Sequence, residues 1–478
     1  MKNKFTAFAM LFMAVFTLAS CLDDDTNYVY TDDSAITSFT VTGAKRYVYT
    51  KTKKGDEDSV YTVTSSYTSY KFNIDQNNNT ISNPDSLPYG VDAKKLVCTV
   101  YGLNSANVYI KDLNGEGVSI VTTTDSLDFS VERELQVISN SGQNLRKYKV
   151  NVNVHKEQAD SFFWASMVKS TDITKLTTIK TYAIKDNENK DHLFLFGSNG
   201  NNTMLYVMSN GQNWIAAKPK LNEADIAFDA NVCKSVVTKN DTVYICNNGN
   251  ILRTTDGNTW EQTGNATGIK TLIAASPLRL YGYNTEGQLM ASADNGATWT
   301  MATIDSDASL LPTSNLSYTC TALRTNNNSY RVTIYGTTAA GEMAIWSKID
   351  EGDKYSENQP WAYYKVYEED KHPLPKLKNM SVATYDDKTY ALGTPDGMDA
   401  SNATLYSSMD GGLTWAADTI VTVPTEITSN KDASSTPNMA IAVDSNNFIW
   451  FVDAASGNTW RGRINRLGWK KEQTDFTE

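Results

Sequence analysis

Histidine is nearly missing from this chain, whose 478 residues hold three. His155, His192 and His372 stand singly and far apart, so neither a histidine-based metal site nor a Ser-His-Asp triad has support. No glycine-rich phosphate loop follows a strand-like run. The acidic runs Asp23-Asp24-Asp25 and Asp56-Glu57-Asp58 lack the spacing of an EF-hand loop and read as solvated. No cofactor and no metal is expected. Positive charge is in deficit: 43 Lys and Arg face 54 Asp and Glu, a net of −11. Without the first twenty residues, which hold two lysines and no acid, the net is −13. Nucleic acid and anionic lipid need a cationic partner surface, so both are disfavoured. The apolar run from Phe5 to Leu18 has 14 residues, short of the roughly 20 that span a bilayer. Beyond residue 157 no apolar stripe at helical spacing lasts longer than a turn or two.

The short apolar run reads as an address. Lys2 and Lys4 precede its bulk, and Leu18-Ala19-Ser20-Cys21 closes it. A charged start, a brief apolar stretch and small residues before a cysteine make residues 1–20 a signal peptide. The closing tetrapeptide looks like a bacterial lipobox, which implies a diacylglycerol thioether on Cys21. Each buried methylene contributes about 0.8 kcal/mol, so more than one acyl chain anchors stably. The membrane is then a partner through Cys21. Leu22-Asp23-Asp24-Asp25 resembles the export signal of Bacteroidetes lipoproteins carried to the outer face of the outer membrane. Residues 21–34 read as a flexible acidic tether. Six Asp-Ser or Asp-Thr pairs followed by a small or aliphatic residue, ending at Ser34, Ser59, Ser86, Ser126, Thr242 and Thr419, look like the O-glycosylation signal of the same phylum.

What the chain does have is a phrase written twice. Ser292-Ala293-Asp294-Asn295-Gly296-Ala297-Thr298-Trp299 and Ser408-Met409-Asp410-Gly411-Gly412-Leu413-Thr414-Trp415 share S-x-D-x-G-x-T-W. A third copy, Thr254-Thr255-Asp256-Gly257-Asn258-Thr259-Trp260, is one residue shorter. Each lies between short apolar runs, as a hairpin turn does. Asp with Ser or Thr organises its own turn by local hydrogen bonds. Gly supplies a positive φ, and Trp opens the next strand with a large apolar face. The phrase resembles the Asp-box, or BNR repeat, of sialidases, sortilin-type receptors and xyloglucanases. That resemblance implies a β-propeller in which Thr254, Asp256, Gly257, Thr259, Trp260, Ser292, Asp294, Gly296, Thr298, Trp299, Ser408, Asp410, Gly412, Thr414 and Trp415 are structural and peripheral.

Degenerate copies fill the gaps. Ser209-Asn210-Gly211-Gln212-Asn213-Trp214 keeps the glycine and tryptophan, Gln359-Pro360-Trp361 follows a longer loop, and Asn465-Arg466-Leu467-Gly468-Trp469 reads as a worn last copy. The six tryptophans lie 46, 39, 62, 54 and 54 residues apart, a propeller-like period. An apolar run precedes each: Leu193-Phe194-Leu195-Phe196, Val243-Tyr244-Ile245-Cys246, Leu280-Tyr281-Gly282-Tyr283, Val332-Thr333-Ile334-Tyr335, Tyr390-Ala391-Leu392 and Ile449-Trp450-Phe451-Val452. Six four-stranded units make a six-bladed β-propeller over residues 157–478. Seven blades would need a further unit near residues 160–190 or in the 62-residue gap. Phe162-Phe163-Trp164-Ala165 is either the strand that closes the ring beside the last blade or an interdomain plug.

Residues 35–156 alternate in about seven short strands, the pattern of an immunoglobulin-like sandwich. They lack the Cys…Trp…Cys core of true immunoglobulin domains. Their Ser-Phe-Thr-Val opening and Tyr-Lys-Val closing strand resemble the N-terminal domains of Bacteroidetes surface lipoproteins. The fold class is therefore all-β, and the whole chain is similar to an uncharacterised two-domain lipoprotein family of that phylum. Cys233 and Cys246 flank a turn near Lys239-Asn240 and would face each other across a two-residue turn, within reach of a disulfide. A one-residue change in that turn separates them. Cys98 and Cys320 read as buried thiols.

Chemistry is harder to find. A sialidase clamps a carboxylate with three arginines, the first usually in Arg-Ile-Pro. Here Arg463-Ile464-Asn465 lies at the wrong end, and the propeller region has only Arg253, Arg279, Arg324, Arg331, Arg461, Arg463 and Arg466. Sialidase is disfavoured, while other glycosidases or lyases need only paired carboxylates. Trp361, Tyr363 and Tyr364 are candidate ligand-facing aromatics, against a reading as sheet packing. The leading expectation is a surface-exposed lipoprotein that binds glycan or envelope protein without catalysis. A hydrolase, and a scaffold of an envelope complex, are the alternatives.

Overall fold

A computed structural model describes residues 30–469 apart from 52–57, 187, 210, 266–267, 353–358, 368 and 430–437. The signal peptide, Cys21 and the first part of the tether lie outside the described residues. The chain divides into two compact units, one running to Gln158 and the other from Ala159 to Gly468.

The first unit is two sheets around one core. A four-stranded sheet runs in the order Asp58–Ser65, Ile36–Lys51, Leu96–Gly102, Ser126–Leu127. A six-stranded sheet runs Asn73–Asp75, Thr80–Ser82, Leu145–Asn151, Arg133–Ile138, Asn107–Lys111, Val118–Ile120. Side chains alternate sides along a strand, so Leu135 and Val137 point inward while Glu134 and Gln136 stay half-exposed. They meet Tyr148 and Val150 from the next strand, and Phe39, Val41, Leu96 and Cys98 from the other sheet. Each large apolar side chain so buried contributes about 1.5–3 kcal/mol.

Among the described residues the second unit holds six sheets. The first is Thr178–Lys185, Asp191–Ser198, Asn202–Ser209 and Ile215–Ala216. The second is Val236–Lys239, Thr242–Asn247, Asn250–Thr254 and Thr259–Asn265, extended by two short strands. The third is Ile269–Ala275, Leu280–Asn284, Leu289–Ser292 and Thr300–Met301. The fourth is Ser314–Ala322, Ser329–Thr337, Met343–Glu351 and Ala362–Tyr363. The fifth is Leu377–Tyr385, Lys388–Pro395, Thr404–Ser408 and Ala416–Ala417. The sixth joins Met439–Val443, Ile449–Asp453 and Asn458–Ile464 to Phe162–Lys169 from the start of the unit.

The first-named strand of each sheet touches its counterpart in the next, and the circuit closes from the sixth sheet back to the first. Six hydrophobic clusters fill the six spaces between consecutive sheets. Strand alternation explains how. In Asp191–Ser198, Leu193 and Leu195 enter the cluster shared with the sixth sheet, while Phe194 and Phe196 enter the one shared with the second. In Ile449–Asp453, Ile449 and Phe451 face the fifth sheet, and Trp450 and Val452 the first. A second strand buried on both faces must be apolar throughout, which is why the apolar runs in the sequence are these strands.

Phe162–Lys169 pairs antiparallel with Asn458–Ile464, so the first strand of the unit completes its last sheet. Trp164 donates its indole N–H to the Thr422 carbonyl at 2.7 Å, and Arg466 ties Asp160 to Asp386. Two expectations fail here. Asn465–Gly468 is a single helical turn and Trp469 stacks on the His155 ring at 3.6 Å, so Trp469 is not the last sheet's tryptophan. The strands of the last sheet carry Trp164, Trp450 and Trp460 instead, with Trp460 packed on Phe451. The Cys233–Cys246 disulfide is absent as well, since both thiols are free. The turn falls one residue later, on Asn240 and Asp241, both with positive φ, the type I′ pattern of tight hairpins. Val236 therefore pairs with Ile245, and Ser235 rather than Cys233 stands beside Cys246. The Cys233 thiol points to the Phe196 carbonyl in the first sheet and the Cys246 thiol to the Ile269 carbonyl in the third.

Candidate functional site

The three clear copies of the repeated phrase occupy one structural position, the turn between the third and fourth strands of their sheets. In the copy at 292–299, Asp294 accepts from the Thr298 amide at 2.8 Å and the Thr298 hydroxyl at 2.6 Å. The Ser292 hydroxyl donates to Asp294 at 2.8 Å and accepts from the Gly296 amide at 2.8 Å. The Trp299 indole donates to the Gly296 carbonyl at 3.1 Å. The copy at 408–415 repeats each bond with Asp410, Thr414, Ser408, Gly412 and Trp415. In the third, Asp256 accepts from the amides of Asn258 and Thr259, and Trp260 donates to Gly257. The bond from Thr298 above all holds the Asp294 carboxyl down at about 2.

The glycines mark where one sheet meets the preceding one. Gly296 has φ 95° and Gly412 φ 103°. A Cβ on Gly296 would lie 2.9 Å from Ile251 of the second sheet, and one on Gly257 2.9 Å from Val207 of the first. The tryptophans complete the same contacts, with Trp415 edge-on to Tyr335 and Trp361 edge-on to Tyr281. Trp361 is 0% exposed and has no ring face left for a ligand, which corrects its reading as ligand-facing. Tyr363 and Tyr364 are half-buried, and Tyr363 packs on Trp346 at 5.3 Å. Every carboxylate of the repeated turns is engaged in its own turn.

The site with spare chemistry is elsewhere. At the axis, where the innermost strands begin, lies a cavity of about 460 Å3. Its wall comes from residues 178–180 of the first sheet, Lys234 before the second, 313–316 of the fourth, 376–380 of the fifth, and 438–439 of the sixth. Thr337 and Asp396 complete it. Among the described residues four lysines, Lys180, Lys234, Lys376 and Lys378, face a single acid, Asp396. Asp396 lies 3.4 Å from Lys378 and 3.7 Å from Lys376, and the bond from Lys378 lowers its pKa. Among the described residues Lys180 and Lys234 have no ion pair. Burial pushes the Lys180 ammonium down to about 8, with Lys234 adding repulsion. Asn315 and Asn438 are occupied as staples, donating to the carbonyls of Leu377 and Leu176.

Further along the same strands, phenols bridge the sheets. Tyr182 donates to the Val236 carbonyl at 2.7 Å, and Tyr318 of the fourth sheet accepts from the Thr238 amide of the second at 2.7 Å. Burial raises both phenols, Tyr318 to about 12.

The arginines do not converge. Arg253 pairs with Glu261, Arg279 with buried Asp350, Arg324 with Asp387, and Arg466 with Asp386. Arg461 and Arg463 lie over the Phe448 ring. A second cavity of about 350 Å3 between the first and sixth sheets holds Asp191 and Asp444. Both build the adjoining loop: Asp444 takes the Asn446 and Phe448 amides and the Trp450 indole, and Asp191 takes Ser445 and Asn446. Among the described residues no group of three or more His, Cys, Asp or Glu could hold a metal. The sequence reading missed the lysine funnel because its members lie at 180, 234, 376 and 378, far apart in the chain. Their shared signal, a lysine at or just before the start of an innermost strand, is visible only once the strands are known.

Fold and site together define a class: an all-β protein of two units, the second a β-propeller with lysines around its axial funnel. The chain belongs to the DUF6242 family. Residues 158–472 match the DUF6242 beta propeller domain and residues 39–152 the DUF6242 N-terminal domain. No curated protein is significantly similar to the chain. Among solved structures, YCF48 bound to D1 peptide is 16% identical with a TM-score of 0.33, covering 63% of this chain and 96% of that one. PorZ, a bacterial surface component of the type-IX secretion system of Porphyromonas gingivalis, is 9% identical with a TM-score of 0.31, covering 92% and 75%. A thermostable family-43 glycoside hydrolase is 10% identical with a TM-score of 0.29, covering 59% and 86%. Likenesses this distant say nothing about function.

Proposed function

We propose that the protein is a non-catalytic recognition module of the cell envelope. In this reading Cys21 is the lipid anchor, residues 21–34 the tether to the outer face of the outer membrane, and the immunoglobulin-like unit a spacer. The six-bladed, Asp-box propeller presents the binding face, the end of the ring that bears the funnel, to a glycan or envelope protein. One observation carries the reading: the axial cavity offers four lysines and one aspartate already held by two of them. Glycoside hydrolysis needs two available carboxylates about 5–10 Å apart, and among the described residues the funnel wall supplies no such pair.

The test is to incubate the full chain with a polysaccharide panel, following reducing ends and retention on the same glycans and on envelope proteins. Retention without new reducing ends supports recognition. Release of reducing ends, abolished by substituting Asp396, favours the hydrolase alternative and removes this reading. A scaffold role has its own support in the first unit, where Tyr47, Tyr49, Val60 and Tyr61 are all exposed on one hairpin. A patch of that kind suits a protein interface, and charged substitutions at Tyr49 and Tyr61 that abolish co-purification of an envelope partner would favour it.

A further inference from the structure

We infer that the axial funnel selects a compact ligand bearing an oxyanion group, received by Lys180 and Lys234. The inference rests on the funnel being the binding face and adds the chemistry of its occupant. The chain as a whole is acidic, at −11, yet its axial cavity carries three more cations than anions. Positive charge concentrated in a cleft focuses the field onto an incoming anion. Asp396 answers two of the lysines. Lys180 and Lys234 face the cavity without a partner among the described residues. Lys180 is half-buried and Lys234 exposed at the rim; a partly buried cation without a counter-ion is unfavourable, and the depressed Lys180 ammonium is consistent with that. A bound oxyanion would relieve it.

Size and wall narrow the class. A cavity of about 460 Å3 is in the range of sites for small molecules rather than polymers. Its apolar wall is aliphatic, Ile179, Leu316 and Met439 among it, and among the described residues no aromatic ring lines it. A neutral sugar therefore finds no face to stack on. Ammonium groups act as point charges and do not impose the planar fork of arginine. Carboxylate, sulfate and phosphate are thus all acceptable, and the source of the group is for experiment to decide.

The experiment is calorimetric titration of the full chain with digalacturonate, a sulfated disaccharide and inorganic phosphate, with cellobiose as the neutral control, at low and physiological ionic strength. At least one oxyanion probe is expected to bind, more weakly in salt, and cellobiose is not. Lys180→Gln combined with Lys234→Gln should weaken that probe about tenfold or more, the size of a lost charged hydrogen bond. Asp396→Asn, which frees Lys376 and Lys378, should strengthen it several-fold, and this second variant decides the matter if the double variant does not fold. No oxyanion binding at about 1 mM, or folded variants that bind like the parent, overturns the inference. If cellobiose or an envelope protein binds at the funnel while the anions do not, the inference fails and the recognition reading stands. If turnover appears in place of binding, both fall.

Discussion

Lys180 lies on an innermost strand and lines the axial cavity. Its ordinary pKa of 10.5 falls to about 8 because burial penalises the ammonium, while Cys233 pulls the other way and Lys234 adds repulsion. The folded protein then binds fewer protons than the unfolded chain between those two values, so this group makes stability rise with pH across that window. Anion binding has the opposite slope, since it needs the charged form. Titrating a bound oxyanion probe from pH 7 to pH 9 should show affinity falling through about pH 8, and the slope should vanish in Lys180→Gln. A flat profile in the parent would remove Lys180 from the site.

Gly296 is the residue-scale test of the repeated turns. Its φ of 95° and the 2.9 Å approach of a Cβ to Ile251 leave alanine both strained and crowded. Gly296→Ala should cost about 2–3 kcal/mol. Gly142, at φ 74° with open space around it, should lose less in the same substitution. Chemical denaturation of the two variants gives the comparison. The Asp294 carboxyl, held near 2, contributes stability above its ordinary 3.8 that is lost as pH falls through the folded value.

Elements were legible where one strand served two interfaces. The six apolar runs are the six second strands, since burial on both faces leaves no polar alternation to confuse the period. The repeated turns were legible because their bonds are local to eight residues. Register was not. One residue in the turn at Asn240-Asp241 moved Cys246 opposite Ser235, and sequence alone does not set which two residues take positive φ. Trp469 misled because the fourth strand of the sixth sheet is Phe162–Lys169 from the start of the unit, so no turn follows its third strand to carry the phrase. The closing strand offers an internal control. Trp164 is half-buried against Phe162 and Phe451, whereas Phe163 is 75% exposed. Trp164→Ala should cost about 2–3 kcal/mol, and Phe163→Ala within about 0.5 kcal/mol of nothing. Urea unfolding should separate them; equal effects would mean that the strand does not hold the ring closed.

At the scale of the molecule, the all-β class and the two-unit division followed from alternation and repeat period. The funnel did not, because a closed circuit gathers residues from four sheets and from the turn before the second, which no local pattern connects. The proposed anchor at Cys21 belongs to this scale too. Cys21→Ser should move the protein from the membrane fraction to the soluble one and abolish incorporation of labelled fatty acid. Retention of the label in that variant would place any lipid elsewhere.

Central to the account is a division of labour, with the aspartate turns holding sheets together and the lysine funnel receiving the ligand. Titration of digalacturonate into the parent, Asp294→Ala and the Lys180→Gln/Lys234→Gln variant, each with its melting temperature, tests it directly. The account predicts a lower melting temperature with unchanged affinity for Asp294→Ala, and lost affinity without a lower melting temperature for the lysine variant. Affinity lost on removing Asp294 and kept on removing the lysines would contradict it.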